Sequence, residues 1–247
     1  MTSKSVAGVC LVVGAGDGLG AAIARAFAGL GLKVVVTRRP RHAEALERLA
    51  GAMRAEGAEA FAFPLDARLE EDVVALVDRI EAEIGPLEVV VFNVGANVRF
   101  SATETTSRVF QKVWEMACFA GFLTGREAAR VMLKRGEGTI LFTGATASVR
   151  GASGFSAFSA AKGALRNVAQ AFARELGPKG LHVAHVVIDG AIDGAFTRQR
   201  LADASERLVR GDILEPAEIA RNFVWLHEQG RSAWTLELDL RPWSEPW

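Results

Sequence analysis

A glycine-rich loop lies between a strand pattern and a helix pattern near the start of the chain. It reads Gly14-Ala15-Gly16-Asp17-Gly18-Leu19-Gly20 and follows the apolar run Val9–Val13. Glycine lets a backbone turn tightly and approach a ligand without an intervening side chain. The N-terminus of the next helix directs unpaired N–H groups toward an anion. The loop therefore predicts a dinucleotide-binding site over 14–20, with a tight turn that binds nothing as the alternative.

Strand and helix patterns alternate along the chain. Continuous apolar runs indicate strands that are buried on both faces, and the segments between them are helical. The predicted strands are Val6–Val13, Leu32–Thr37, Ala60–Leu65, Leu87–Phe92, Thr139–Thr143, Leu181–Ile188 and Trp234–Leu238. The predicted helices are 18–30, 43–56, 70–84, 107–134, 156–176 and 216–229. This order predicts an α/β fold with a parallel sheet, in a single domain over 1–247.

Composition narrows the class of partner. The 29 basic residues balance the 29 acidic ones, which gives no indication of nucleic acid or of a membrane surface. No signal peptide is visible, and no apolar run approaches the roughly 20 residues that span a bilayer. Cys10 and Cys118 are expected to be buried free thiols, and no metal-ligand spacing is present. We expect a cytoplasmic globular protein without a metal.

Residues just after the strands are candidates for the cofactor site, because ligands bind beyond the carboxyl ends of such strands. Arg38 and Arg39 follow the second strand, with no acidic residue there. Arginine accommodates the 2′-phosphate of NADP, whereas a carboxylate would bind the ribose of NAD. The sequence therefore favours NADP, with NAD as the alternative, although Asp17 would repel that phosphate. After the third strand, Asp66 could accept from an adenine amino group, with Ala67 beside it.

Three motifs carry a resemblance to a known family. The loop 14–20 matches the pattern Gly-x-x-x-Gly-x-Gly, and Asp66 matches an aspartate after the third strand. Asn93-Val94-Gly95 matches part of an Asn-Asn-Ala-Gly motif, with Phe92 at the first Asn. On these motifs the chain resembles the short-chain dehydrogenase/reductase superfamily over essentially its whole length. The resemblance implies a Rossmann-type, doubly wound, seven-stranded and mainly parallel sheet flanked by helices, and NAD(P)-dependent oxidoreductase activity.

The resemblance fails at the residues that usually perform the chemistry. The family uses a tyrosine as acid or base, a lysine that holds the nicotinamide ribose, a serine that polarises the carbonyl and an asparagine that supports a proton relay. Lys162 matches that lysine, but Phe158, Ala145 and Ala117 stand at the other three positions. Phenylalanine and alanine offer no side-chain proton or hydrogen bond. The resemblance thus implies a non-standard site in which Lys162 is retained; a solvent-exposed helix lysine is the alternative.

Other side chains are candidates for the missing chemistry. Asp189 stands where the family has a proline, near the expected nicotinamide, and Gly190 and Ile192 follow it in the cofactor site. A partly buried carboxyl group with a raised pKa could act as an acid, although such residues more often cap a turn. Thr146 could supply a hydroxyl, or bond to backbone instead.

The expected mouth of the site carries three arginines, Arg150, Arg198 and Arg200. They could hold an acidic substrate, or they could be solvated loop charges. Ser159 is expected to face away from Phe158, because neighbouring residues do not share a helix face.

Two functions remain open. The first is an NADP-dependent oxidoreductase that acts on an unidentified small molecule, such as an activated alkene or imine, without a tyrosine acid. The second is a degenerate family member that binds NADP(H) as a sensor or partner subunit. Polar groups that converge around Phe158, Ala145 and Ala117 would favour the first function, and an apolar pocket would favour the second.

The chain is also expected to form a homodimer or homotetramer. By resemblance, the helices that carry Ala117 and Lys162 form the dimer surface. Their apolar residues are Trp114, Phe119, Phe122, Leu165, Val168 and Phe172. The Trp-rich segment 234–247 is a second candidate interface, with packing inside the subunit as the alternative.

Overall fold

A parallel sheet of seven strands forms the centre of the protein in the computed structural model, which describes residues 7–245. The strands are β1 (Val9–Val13), β2 (Lys33–Arg38), β3 (Ala60–Pro64), β4 (Leu87–Phe92), β5 (Gly138–Thr143), β6 (Leu181–Ile188) and β7 (Glu237–Leu240). Their order in the sheet is β3-β2-β1-β4-β5-β6-β7, and every neighbouring pair is parallel. Strands β2 and β3 are added on one side of β1, and β4 to β7 are added on its other side, so the strand order switches between β1 and β4. This switch point is where ligands bind in doubly wound sheets.

Helices cover both faces of the sheet. They are α1 (Leu19–Gly29), α2 (Ala43–Ala55), α3 (Glu70–Arg79), α4 (Ser107–Trp114), α5 (Ala120–Met132), α6 (Ser156–Leu176), α7 (Ala195–Arg200), α8 (Ala204–Val209) and α9 (Pro216–His227). One apolar core packs α1, α2 and α9 against the sheet, and a second packs α3, α5 and α6 against the opposite face. The prediction of a doubly wound α/β fold is confirmed. No helix within residues 7–245 is both long and apolar enough to cross a membrane.

Several predicted boundaries differ from the observed ones. The segment predicted as one helix over 107–134 contains a π-helical turn, Glu115–Phe119, between α4 and α5. The helices α7 and α8 were not predicted, since six residues are too few to show a helical period. The last strand begins at Glu237 rather than at Trp234, and Val6, the predicted start of the first strand, lies outside the described residues.

The C-terminal tryptophans have different environments. Trp234 stacks on His182, with ring centroids 5.0 Å apart, and its Nε1 donates to the Gln229 carbonyl at 3.1 Å. It therefore packs inside the subunit before β7 begins. The side chain of Trp243 is 81% exposed. Leu165, which the sequence placed on a dimer surface, is fully buried in the core, and that assignment was wrong.

Candidate functional site

The glycine loop joins β1 to α1 at the switch point. Gly14 has φ +93°, and a Cβ there would lie 2.7 Å from the Asn93 carbonyl oxygen. A Cβ on Gly20 would lie 2.6 Å from the Gly14 carbonyl oxygen. Asn93 supports this turn through its Nδ2, which donates to the Gly14 carbonyl at 3.1 Å. These two glycines are therefore required by the path of the chain itself.

The other two glycines of the loop border open space. A Cβ on Gly16 would come no closer than 3.7 Å to Arg38, and one on Gly18 no closer than 3.8 Å to the Asp193 carbonyl oxygen. Gly16 lines one cavity and Gly18 another. We call these the small cavity, of about 250 Å³, and the large cavity, of about 890 Å³.

The small cavity lies beyond the ends of β1 to β4. It brings together nine of the predicted cofactor residues: Gly14, Gly16, Arg38, Arg39, Asp66, Ala67, Asn93, Val94 and Gly95. Thr37, His42 and Arg68 also line it, and the sequence interpretation missed these three. Among the ionisable side chains that line this cavity, the basic ones outnumber the acidic one, which suits a phosphate group.

Arg68 is the closest partner of Asp66. Its Nε donates to Asp66 Oδ1 at 2.9 Å, and its Nη2 reaches Oδ2. These hydrogen bonds hold the pKa of Asp66 below its ordinary value, although burial opposes them. The carboxylate that the sequence offered to an adenine amino group is thus fixed in orientation by an arginine two residues later.

Arg38 and Arg39 differ in their surroundings. Arg38 Nη1 lies 3.8 Å from Asp17 Oδ1, and the Asp17 side chain is 83% exposed. This weak, exposed pair leaves the guanidinium available. Burial and the neighbouring Arg41 lower the pKa of Arg39. The small cavity is therefore lined by three arginines and one carboxylate, and Asp17 is not among its lining residues.

The large cavity extends from the glycine loop to α6 and α7. Of the predicted site residues it is lined by Asp17, Gly18, Leu19, Arg38, Asn93, Val94, Gly95, Thr146, Lys162, Gly190 and Ile192. Its volume suits a ligand of drug size beside part of a cofactor. Gly20 and Asp189 line neither cavity.

Lys162 is almost completely buried on α6, so it is not a solvent-exposed helix lysine. Its Nζ donates to the Thr143 carbonyl at 2.8 Å and to the Val94 carbonyl at 3.0 Å. Loss of hydration on burial lowers the pKa of Lys162 to about 8. An ammonium has three N–H donors, so one remains beyond these two bonds.

The three residues at the positions of the family's tyrosine, serine and asparagine lie in one apolar cluster. Phe158 and Ala117 are buried members of it, and Ala145 packs against it. Phe158 and Ala145 also line the large cavity. The hydroxyl of Ser159 is buried without a partner among residues 7–245, and Ser159 lines the same cavity as Phe158. Both neighbours therefore border the large cavity.

Asp189 is engaged inside the protein rather than in the cavity. Thr146 Oγ1 donates to its Oδ1, and Arg150 and Arg241 lie 3.6 and 3.4 Å from its Oδ2. It is 3% exposed. This geometry does not favour the suggested role of Asp189 as an acid, because its oxygens face protein groups. The Thr146 hydroxyl, also suggested for chemistry, is committed to this carboxylate.

The three arginines expected at the mouth divide into two groups. Arg198 binds both oxygens of Asp193, at 2.8 and 2.7 Å, and does not line the large cavity. Arg150 and Arg200 do line it. The sequence could not distinguish them, because the ion pair of Arg198 depends on the turn into α7.

The site fits a dinucleotide. No side chain caps the N-terminus of α1, and its first turn holds no acidic residue. Ala21 N–H donates to the Gly16 carbonyl, so the N–H groups of Leu19 and Gly20 are the ones left for an anion. The buried hydroxyls of Thr37 in the small cavity and Thr143 in the large one have no partner among residues 7–245. No cluster of His, Cys, Asp or Glu in this range could hold a metal ion.

Comparison with protein families and with characterised proteins agrees with this geometry. The family model described as short chain dehydrogenase matches residues 8–205. Gluconate 5-dehydrogenase of Gluconobacter oxydans is 30% identical over 199 residues, which cover 81% of this chain and 73% of the relative. Versicolorin reductase of Emericella nidulans is 30% identical over 223 residues, which cover 90% and 82%.

Solved structures give the same result. A short-chain dehydrogenase from Rhodopseudomonas palustris superposes with a TM-score of 0.82 at 47% identity, covering 96% of this chain and 99% of that one. A variant of actinorhodin polyketide ketoreductase, crystallised with NADPH, gives a TM-score of 0.86 at 25% identity and covers 96% of each chain. The chain therefore belongs to the short-chain dehydrogenase/reductase family of oxidoreductases.

Proposed function

We propose that this protein is an NADP(H)-dependent oxidoreductase whose acceptor needs no acid from the protein. The observation that carries the proposal is the large cavity, where the glycine loop, the buried Lys162 and the apolar Phe158 meet. When bound, the dinucleotide supplies or accepts the hydride.

The residues of the two cavities have distinct roles in holding it. The N–H groups at the start of α1 would bind the pyrophosphate. Arg38 and Arg39 would bind the 2′-phosphate, and the Asp66 carboxylate, oriented by Arg68, would accept from the adenine amino group. By family resemblance, Lys162 would bind the nicotinamide ribose through the N–H that its two carbonyl partners leave over.

The surroundings of Phe158 determine which acceptors suit the site. Phe158 forms an apolar wall and has no proton to donate. An activated alkene or an iminium group accepts hydride without simultaneous protonation, and any proton then required comes from solvent at the open mouth. Thr143 and Ser159 line the same cavity, but their hydroxyl oxygens are buried, so neither is placed to protonate the acceptor.

A second candidate is an NADP(H)-binding protein without turnover. The apolar cluster of Phe158, Ala117 and Ala145 favours this function, since no side chain of the cluster carries a proton donor. In this case Lys162 and the glycine loop serve binding alone.

We also propose a cytoplasmic homodimer or homotetramer. Both cysteines are free and buried, which suits a reducing compartment. Phe110 and Trp114 are 41% and 39% exposed on α4, and apolar side chains of this size at a surface suit a subunit contact.

NADPH consumption by the purified protein tests the proposed function. We expect oxidation of NADPH with a conjugated enone or a cyclic imine and negligible oxidation with acetone or cyclohexanone. A calorimetric titration with NADPH accompanies the assay. Tight binding of NADPH without oxidation by any acceptor would favour the binding protein.

A further inference from the structure

Six charged side chains line the large cavity: Asp17, Arg38, Arg150, Lys162, Asp193 and Arg200. Of the two acids, Asp193 has both oxygens bound by Arg198, whereas Asp17 lies in the glycine loop with its side chain 83% exposed. Arg38 is assigned above to the cofactor. Lys162 is buried and donates to backbone carbonyls. The remaining cations, Arg150 and Arg200, therefore determine the charge that a substrate meets.

Arg200 forms no ion pair within residues 7–245. Its Cζ lies 4.2 Å from the centroid of the Phe196 ring, and both side chains line the cavity. Stacking on an aromatic face orients a guanidinium group while its N–H donors stay free in the plane.

Arg150 is positioned by Asp189, which does not line the cavity. Its Nη2 lies 3.6 Å from Asp189, a carboxylate that also accepts from Thr146 and lies 3.4 Å from Arg241. Asp189 is outside the cavity, and the Arg150 side chain is 49% exposed. With five donors in a planar fork, Arg150 keeps several for a ligand.

We propose that the large cavity binds an apolar carboxylate, with its carboxylate group on Arg150 and Arg200 and its apolar body against Phe155, Phe158 and Leu201. The inference rests on the proposed function, because it assigns a substrate class to that same cavity. A carboxylate matches the forked geometry of arginine, and the aromatic wall suits a planar or alicyclic body.

Calorimetry with two probes of the same shape tests the proposal. The probes are 2-naphthoate and its neutral analogue 2-naphthamide, titrated with and without saturating NADP⁺. We expect 2-naphthoate to bind at least about tenfold more tightly, as a charged hydrogen bond implies. Equal affinity of the two probes, or binding of neither, would overturn the proposal.

Two arginines, one in the cavity and one outside it, provide a matched pair of variants. Arg200→Gln should lower the affinity for 2-naphthoate about tenfold and leave 2-naphthamide unchanged, and Arg200→Lys should restore part of the loss. Arg207→Gln, on α8, should change either affinity less than about twofold, because Arg207 does not line the cavity. An equal effect of the two glutamine variants would contradict the assignment. The assignment would also be contradicted if Arg200→Gln lowered the affinity for NADP⁺ rather than the affinity for 2-naphthoate.

The binding test is independent of turnover. If 2-naphthoate binds as expected while no acceptor oxidises NADPH, the carboxylate site stands and the proposed hydride transfer fails. If NADPH is oxidised but 2-naphthoate and 2-naphthamide bind alike, the hydride transfer stands and the substrate class is wrong.

Discussion

The Nζ atom of Lys162 lies 2.8 Å from the carbonyl oxygen of Thr143, to which it donates a hydrogen bond in the protein interior. This contact joins α6 to the end of β5, where the large cavity begins. It fixes the ammonium at the floor of the cavity, and burial of that ammonium has a measurable consequence for stability.

Replacing Lys162 should change how stability depends on pH. The native state releases the Lys162 proton near pH 8 and the unfolded chain near 10.5. Between these values the unfolded chain binds more protons, so raising the pH stabilises the native state. Relative to Lys162→Met, the free energy of unfolding of the wild type, measured by urea denaturation, should rise by on the order of 3 kcal/mol across this pH window. The exposed Lys179→Met is the control, and a pH-independent difference between wild type and Lys162→Met would contradict the prediction.

Cofactor choice should depend on Arg38. Calorimetry should show tighter binding of NADP⁺ than of NAD⁺. Arg38→Gln should lower the affinity for NADP⁺ about tenfold or more and leave the affinity for NAD⁺ unchanged. Asp17→Asn should raise the affinity for NADP⁺ severalfold, because it removes a carboxylate 3.8 Å from Arg38. Arg48→Gln, on the exposed face of α2, serves as the control. Equal affinity for the two cofactors in the wild type would show that Asp17 outweighs the arginines.

Ordinary ketone reduction should return only when two groups are restored together. Phe158→Tyr alone should stay nearly inactive on cyclohexanone, because residues that act as a unit contribute non-additively. Phe158→Tyr combined with Ala145→Ser should gain measurable activity, since acid–base catalysis alone is typically worth about 10²–10⁴ in rate. NADPH oxidation measures both variants. The prediction would be wrong if the unmodified protein reduced cyclohexanone as fast as the double variant.

The oligomer should depend on the aromatic surface of α4. Trp114 stacks on Phe119 at 5.8 Å, and Phe119 on Phe122 at 6.5 Å, so Trp114 is the exposed end of a row of rings. Light scattering at micromolar concentration should give a multiple of the 26.4 kDa chain mass. Trp114→Glu should shift the mass toward the monomer, while Val209→Glu, at an exposed position of α8, should not. A wild-type mass near 26.4 kDa would refute the assembly.

Much of the fold could be predicted because its signals are local. The apolar run Val9–Val13 and the glycines after it specify a buried strand and a tight turn, and apolar runs recur at the next strands. The turn at Glu115–Phe119 was missed, because a π-helical turn leaves the helical pattern almost unchanged.

The site was harder to predict, because its pairs join distant segments. Asp189 meets Thr146, 43 residues earlier, and this contact depends on how the loops after β5 and β6 face each other. The sequence identified both residues as candidates for chemistry but could not show that they hydrogen-bond to each other. Lys162, in contrast, was identified by the family resemblance, because it matches the lysine of the Tyr-x-x-x-Lys pattern within one helix.

Transfer of deuteride shows whether the protein delivers hydride from NADPH without a tyrosine acid. NADPH carrying deuterium at the transferable position is incubated with the protein and either a conjugated enone or cyclohexanone, and the products are analysed by mass spectrometry. We expect deuterium in the reduced enone, at one stereochemical face, and none in cyclohexanol, because the site offers a positioned hydride without a tyrosine acid. Absence of deuterium from both products while NADPH binds, or deuterium in cyclohexanol at a rate equal to that for the enone, would contradict it.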